Sequence, residues 1–265
     1  MRQRTNTKRV PALFPILMVL FAAGVIFFGW KIVSYLIDSQ KSQDFWGDLQ
    51  QSAFLEADTG GTELIDWEWE ESDGVPGVIS FDRLHAVSED VVAWVYIPGT
   101  VINYAVAQGE DNDQYLRHLL NGQYANGGTP FMDYRNNPDV SDWNTVIYGH
   151  NMNNGTMFAT LSKYGDQSFY EEHPVMYLYI PGKRFKLELV YGYTASANDR
   201  VYQLPATKEE RDELLDNAAE QTSFDSGVTI GAQDRLVTLS TCSYAFNNAR
   251  YVVIARIAEV LEAKE

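Results

Sequence analysis

Apolar residues fill positions 11–30, twenty in a row without a charge. At about 1.5 Å of rise per helical residue, the run is about 30 Å long, enough to cross a bilayer's hydrocarbon core. Pro11 and Pro15 fall in its first turns, where proline disturbs a helix least. Trp30, Lys31 and Tyr35 suit the far interface. No Ala-x-Ala-like site follows, so an anchor is expected rather than a cleaved signal peptide. The next stretch, residues 38–77, mixes a helical pattern ("FWGDLQQSAFLEA") with turn signals ("ADTGG", "SDGVPG") and reads as a stalk or an accessory helix pair.

From about residue 79 the period shortens from helical to strand-like. "VVAWVYIPG" and "TVINYAVAQ" predict two strands about a Pro-Gly turn. "GGTPFMDY" and "WNTVIYGH" follow as strands, and "VMYLYIPGKRFKLELVYGYTA" as a hairpin about Pro181-Gly182. "DRLVTLSTC" and "ARYVVIARIAEV" are the last two. "DNDQYLRHLL" predicts a short helix, its leading acids acting as an N-terminal cap. "TMFATLSKYGDQSFYEEHP" predicts a helix that stops before Pro174. "ATKEERDELLDNAAEQ" predicts another, capped by Thr207. The expected fold is mainly β: one closed barrel of about eight strands with several short helices, an N-terminal helical segment and one transmembrane helix. The expected divisions are a basic tail (1–10), a membrane anchor (11–37), an acidic stalk (38–77) and a barrel domain (78–265).

Charge adds an orientation. Arg2, Arg4, Lys8 and Arg9 precede the apolar run with no acid among them, which predicts a cytoplasmic N-terminus and an extracellular barrel. The chain carries −16 overall; residues 1–40 are +4, so the remainder carries −20. A domain this acidic repels nucleic acid and anionic surfaces. Neither an H-E-x-x-H motif nor a Cys/His cluster is present, so neither metal nor cofactor is expected.

The chain has one cysteine, Cys242. It has no disulfide partner within the chain, and outside a cell a spare thiol is a liability. Two readings stand: a buried small hydrophobe, or a working nucleophile. A working thiol needs a base and a donor for the developing oxyanion. His85, His118 and His173 lie in charged, helix-like segments and read as solvated or capping residues. His150 instead ends the strand "NTVIYGH", as Cys242 ends "RLVTLSTC", and strand ends that open into loops commonly display catalytic groups. Arg250 begins the following strand; if the loop between returns to Cys242, its fork of donors suits an oxyanion. Ser240, two residues before the thiol, should share its face.

"TLSTC", with Arg250 downstream and "YGHNM" upstream, resembles the sortases, membrane-anchored cysteine transpeptidases of Gram-positive bacteria. "AWVYIPGTVINYAV", "DNDQYL", "VIYGHNMNNGTMFATL" and "ARYVVIARI" resemble the class B branch. The resemblance implies a Cys242–His150–Arg250 site without an acid beside His150. It implies that Cys242 forms a thioester with a C-terminal sorting motif of a secreted protein. The acyl group then passes to an amine of cell-wall precursor or pilin. Asn112, Leu116, Tyr202, Ser240 and Thr241 are the implied substrate-groove residues. Two other readings stand: a cysteine hydrolase that uses the same residues with water as acceptor, and a non-catalytic surface binding module in which Cys242 is buried and unreactive.

Overall fold

Every strand forecast by alternation finds a neighbour on each side. The computed structural model describes residues 13–54, 79–243, 245 and 247–262. Its described strands are β1 (Val91–Tyr96), β2 (Asn103–Ala107), β3 (Phe131–Met132), β4 (Asn144–Tyr148), β5 (Val175–Ile180), β6 (Lys183–Ser196), β7 (Leu236–Cys242) and β8 (Ala249–Glu262). They close into the expected barrel in the order β1-β2-β3-β4-β7-β8-β6-β5. Closure leaves no edge strand open to pairing with another chain. Two neighbours run parallel, β2 with β3 and β4 with β7. Parallel strands are usually buried on both faces. Accordingly all of β4 except Tyr148 and all of β7 except Cys242 are buried.

The helices cover the barrel. α1 (Leu13–Ala53) is one unbroken helix. From Ile16 onward it is long and apolar enough to cross a membrane, with a best window of mean hydropathy 2.3 and none of that window buried. Its far end docks: Trp46, Leu49 and Ala53 are buried. Trp46 meets Tyr104 of β2 edge-on, centroids 5.1 Å apart, and Gln50 Nε2 donates to the Asn103 carbonyl at 2.6 Å. The expected boundary at residue 37/38 is thus a change in burial and not a break in the helix. The basic tail and nearly all of the acidic stretch after Ala53 lie outside the described residues.

α2 (Phe81–His85) and α3 (Gln167–Glu172) are short. The stretch forecast as one helix before Pro174 splits into the 3-10 helix Ala159–Gly165 and α3. α4 (Lys208–Gln221) is capped as expected, with Thr207 accepting from the Glu210 N–H. It packs Leu214, Leu215 and Ala218 on Tyr193, Val252 and Ile254. Its Arg211 is buried, donates to the Gly231 and Asp234 carbonyls, and lies 5.2 Å from the Trp143 ring. One guanidinium thereby ties α4 to the chain entering β7.

Two further forecasts change. "DNDQYLRHLL" is a chain of turns, not a helix. Its backbone groups are taken by another segment: Thr129 N–H donates to the Tyr115 carbonyl and Ala125 N–H to the Arg117 carbonyl. The acids cap a turn instead, Asp111 Oδ1 accepting from the N–H groups of Asp113 and Gln114. The strand expected in "GGTPFMDY" shrinks to two residues.

Gly128 allows that cross-pairing. Its φ is +55°, and a Cβ there would stand 2.4 and 2.5 Å from the carbonyl oxygens of Tyr115 and Leu116. Gly128→Ala meets both the left-handed backbone penalty and a backbone clash. A loss of about 2 kcal/mol or more is expected in urea unfolding; an unchanged midpoint would show that the segments part freely.

Candidate active site

Parallel strands end at the same edge, and this aligns His150 with Cys242. β4 and β7 pair in register from Asn144↔Leu236 to Tyr148↔Ser240. The Gly149 N–H continues the ladder to the Ser240 carbonyl at 3.0 Å. His150 lies two residues past Tyr148, and Cys242 two past Ser240. Asn151 closes the end, its Nδ2 donating to the Cys242 carbonyl at 2.9 Å. On the other flank β8 runs antiparallel and pairs Arg250 with Cys242. Three neighbouring strands therefore present an imidazole, a thiol and a guanidinium at one end of the barrel.

These residues line a groove with a cavity volume of about 310 Å³. Asn112, Leu116, Tyr202, Ser240 and Thr241 line it too, so the geometry gathers every residue singled out from the sequence. Asn112 and Leu116 come from the turns between β2 and β3, Tyr202 from the 3-10 helix Arg200–Tyr202. Tyr202 OH and Ser240 Oγ share a hydrogen bond of 2.8 Å. Burial pushes the Tyr202 phenol up to about 12, against the opposing effects of Ser240 and Arg250, so it stays neutral. The Thr241 hydroxyl is buried with no hydrogen-bond partner. Cys242 is free and half-buried.

His150 is half-buried, and its Nε2 lies 2.7 Å from the Leu116 carbonyl. A carbonyl only accepts, so Nε2 carries the proton and Nδ1 is the basic nitrogen of the neutral ring. Burial lowers the pKa below the ordinary histidine value. The Leu116 carbonyl works against this, while the charges of Arg117 and Arg250 add to it. The ring is thus a neutral base at pH 7, oriented by a backbone carbonyl rather than a carboxylate. Gly149 precedes it of necessity, since a Cβ there would meet the Phe158 ring at 2.5 Å. Arg250 is half-buried, with Nη1 donating to the Ala249 carbonyl at 3.1 Å. The other histidines bond backbone carbonyls elsewhere: His85 to Val91, His118 to Gln114 and His173 to Pro98.

Sequence reasoning passed over a polar wall behind the groove. The Asp133 side chain is fully buried and takes a two-pronged ion pair from Arg135, both contacts 2.8 Å. It also accepts from Tyr148 OH at 2.9 Å and Asn112 Nδ2 at 3.1 Å. Burial alone would raise the carboxyl pKa, but these donors outweigh it and hold it below its ordinary value. Arg135 Nη2 also donates to the Tyr202 carbonyl, and the Tyr148 and Tyr202 rings stack at 6.0 Å. The only sequence signal is the Asp-x-Arg spacing in "MDYRNN". Among the described residues, no group of three or more His, Cys, Asp or Glu could hold a metal ion.

A thiol, a neutral imidazole and a guanidinium facing one groove of a closed barrel define a thiol-dependent acyl-transfer enzyme. The Sortase domain family model matches residues 95–258, more than half of the chain. The chain belongs to the sortase family, and its relatives place it in class B. It is 29% identical to sortase B of Staphylococcus aureus, over 95% of this chain and 99% of that protein. It is 33% identical to sortase B of Listeria monocytogenes, over 85% of this chain and 88% of that one. A solved sortase B complexed with triglycine superposes with a TM-score of 0.63 at 30% identity, covering 69% of this chain and 86% of that one. The protein is a sortase-type cysteine transpeptidase.

The histidine's lowered pKa has a stability consequence. Between the folded pKa and the ordinary value of about 6.5, the unfolded chain binds more protons at this site. The contribution is therefore complete above the unfolded value and lost as pH falls through the folded one. His150→Gln keeps a donor for the Leu116 carbonyl and removes the titration. In urea unfolding at pH 7.5 and 5.0, the native protein should lose more stability on acidification than the variant; equal losses would contradict the shift.

Proposed function

We propose that Cys242 is the nucleophile of a two-step acyl transfer. Its Sγ attacks the carbonyl carbon of a sorting motif near the C-terminus of a secreted protein, and the thiol proton passes to His150 Nδ1. The tetrahedral intermediate collapses to a thioester as the C–N bond breaks. His150 returns the proton to the leaving amine, which would otherwise be a very poor leaving group. An acceptor amine then attacks the thioester and gives a proton to His150, which passes it to the departing sulfur. Arg250 holds the oxyanion or the adjacent peptide carbonyl. Asn112, Leu116, Tyr202, Ser240 and Thr241 contact the sorting peptide. The observation that carries this reading is the β4–β7–β8 register, which sets His150, Cys242 and Arg250 at one end of one groove.

The acceptor is an unhindered primary amine, of cell-wall precursor or of pilin. The triglycine complex of a related sortase B supports an oligoglycine-like amine. The test is a sorting-peptide library screened against the protein with and without triglycine. Transfer product should accumulate with triglycine, and Cys242→Ala should abolish cleavage and transfer alike. Cleavage that triglycine never diverts would make the enzyme a hydrolase; cleavage by Cys242→Ala would remove the nucleophile.

Arg250 separates charge from geometry. A planar fork reaching two acceptors cannot be replaced by a lysine's point charge. One lost oxyanion donor typically costs ~10²–10³ in rate. Arg250→Lys should therefore fall close to Arg250→Ala in kcat/KM. Near-normal turnover of the Lys variant would leave charge alone as its contribution.

The basic N-terminus and the exposed apolar half of α1 support a single-pass anchor with the barrel outside the cell. Protease added to intact protoplasts should digest the barrel domain; full protection would reverse the orientation.

A further inference from the structure

The large apolar side chains of α1 are exposed from residue 16 to residue 37, and the helix meets the barrel at the next residue. Asp38 Oδ2 accepts twice from Asn126, from its backbone N–H at 3.0 Å and from Nδ2 at 2.6 Å. Ser39 Oγ accepts from Asn154 Nδ2 at 2.9 Å. Asn126 and Asn154 sit in the two loops that hold His150.

The Asn126 loop is laced to the segment carrying Leu116. Asn126 Oδ1 accepts from Arg117 Nη1 at 3.1 Å, Ala125 N–H donates to the Arg117 carbonyl at 3.0 Å, and Thr129 N–H donates to the Tyr115 carbonyl at 3.0 Å. Leu116 lies between Tyr115 and Arg117, and its carbonyl holds the His150 ring. The Asn154 loop leaves directly from His150 and returns to it, with Phe158 N–H donating to the His150 carbonyl at 2.9 Å. α1 grips that loop again further on: Trp46 packs on Tyr104, whose hydroxyl accepts the Met157 N–H at 3.1 Å. The ring's hydrogen-bond partner and the ring's own backbone are each one or two bonds from the membrane-side helix.

We propose that Asp38 is a positioning residue for His150, seating α1 so that both loops around the imidazole are fixed. A helix is stiff, and loops are the least constrained parts of a barrel. A rod clamped across both loops removes freedom that the imidazole would otherwise share. Shifts of order 1 Å from changes far from the chemistry can cost ~10²-fold in rate. The membrane anchor is on this account part of the support of the active site, besides holding the enzyme at the bilayer. The proposal rests on His150 acting as the acid–base.

The test uses the full chain in detergent micelles and needs no peptide substrate. Cys242 is the single thiol, so its alkylation by iodoacetamide at pH 7 reports the base beside it. Asp38→Ala should label about tenfold more slowly. Asp38→Asn retains a side-chain oxygen for the same two N–H groups and should stay within about twofold of the native rate. In 15N-histidine spectra the His150 ring signals should move in the Ala variant and return in the Asn variant, while those of His85 and His173 stay in place. Native labelling with an unmoved His150 signal in Asp38→Ala overturns the proposal. So does an Asn variant as impaired as the Ala variant. If Asp38→Ala does not fold, Ser39→Ala, which loses only the Asn154 bond, should show a smaller loss in the same direction, and no loss overturns the proposal. If His150→Ala labels at the native rate, the acid–base reading fails, while the ring signals still judge the seat of α1.

Discussion

Two strands that run side by side in the same direction end at the same place, and the active end of this barrel depends on that. β4 and β7 are far apart in the chain, yet their parallel register puts the residues after Tyr148 and after Ser240 next to each other. A slip of one residue would turn His150 or Cys242 to the other face of the sheet. The register is secured because the two buried faces differ: Ile147, Val237 and Leu239 pack in the main apolar core, whereas Asn144 and Thr238 on the other face share a buried hydrogen bond of 2.8 Å. A one-residue slip would break that bond and turn buried polar groups into the apolar core without partners, which is costly. The meeting of His150 and Cys242 is here a by-product of core packing, with β8 adding Arg250 through the β7 hairpin.

The groove wall follows a second rule, that a buried charge must be paired and fully hydrogen-bonded. Asp133 meets it with four donor atoms from three side chains, and so holds together parts of the groove that are remote in sequence. Tyr148 and Asn112 are oriented directly, and Tyr202 through Arg135. Arg135 itself stays exposed, so its ion pair adds little to stability and serves chiefly as a constraint on geometry. His150 obeys the same logic with a neutral ring: a single backbone carbonyl satisfies Nε2 and leaves Nδ1 basic.

The acidity of the barrel domain and the apolarity of the first half of α1 set two unlike parts of the molecule end to end. Among the described residues the apolar window of α1 is buried against nothing, and by length and composition it is a candidate membrane span. Past residue 37 the same helix becomes part of the protein surface, packing Trp46, Leu49 and Ala53 against the barrel. One unbroken helix thus carries both the apolar candidate span and the face docked on the barrel, with no linker between them.

Hydrophobic period and short motifs were enough to read the apolar helix, the β1–β2 and β5–β6 hairpins and the Thr207 cap, and to bring forward Cys242, His150 and Arg250 as candidates that line one groove, because each is encoded within a few neighbouring residues. "DNDQYLRHLL" misled, since helical spacing of apolar residues cannot reveal that another segment will take its backbone hydrogen bonds. Asp133 stayed hidden for a related reason: an acid in a loop looks solvated until the fold buries it. The sequence by itself determined which elements form and which side chains have the chemistry for acyl transfer. Only the tertiary structure decided that a carbonyl bonds the His150 ring, that Asp133 ties groove residues together and that α1 bonds the loops beside them. Those depend on contacts between residues distant along the chain, and local pattern carries no information about which distant segments will meet.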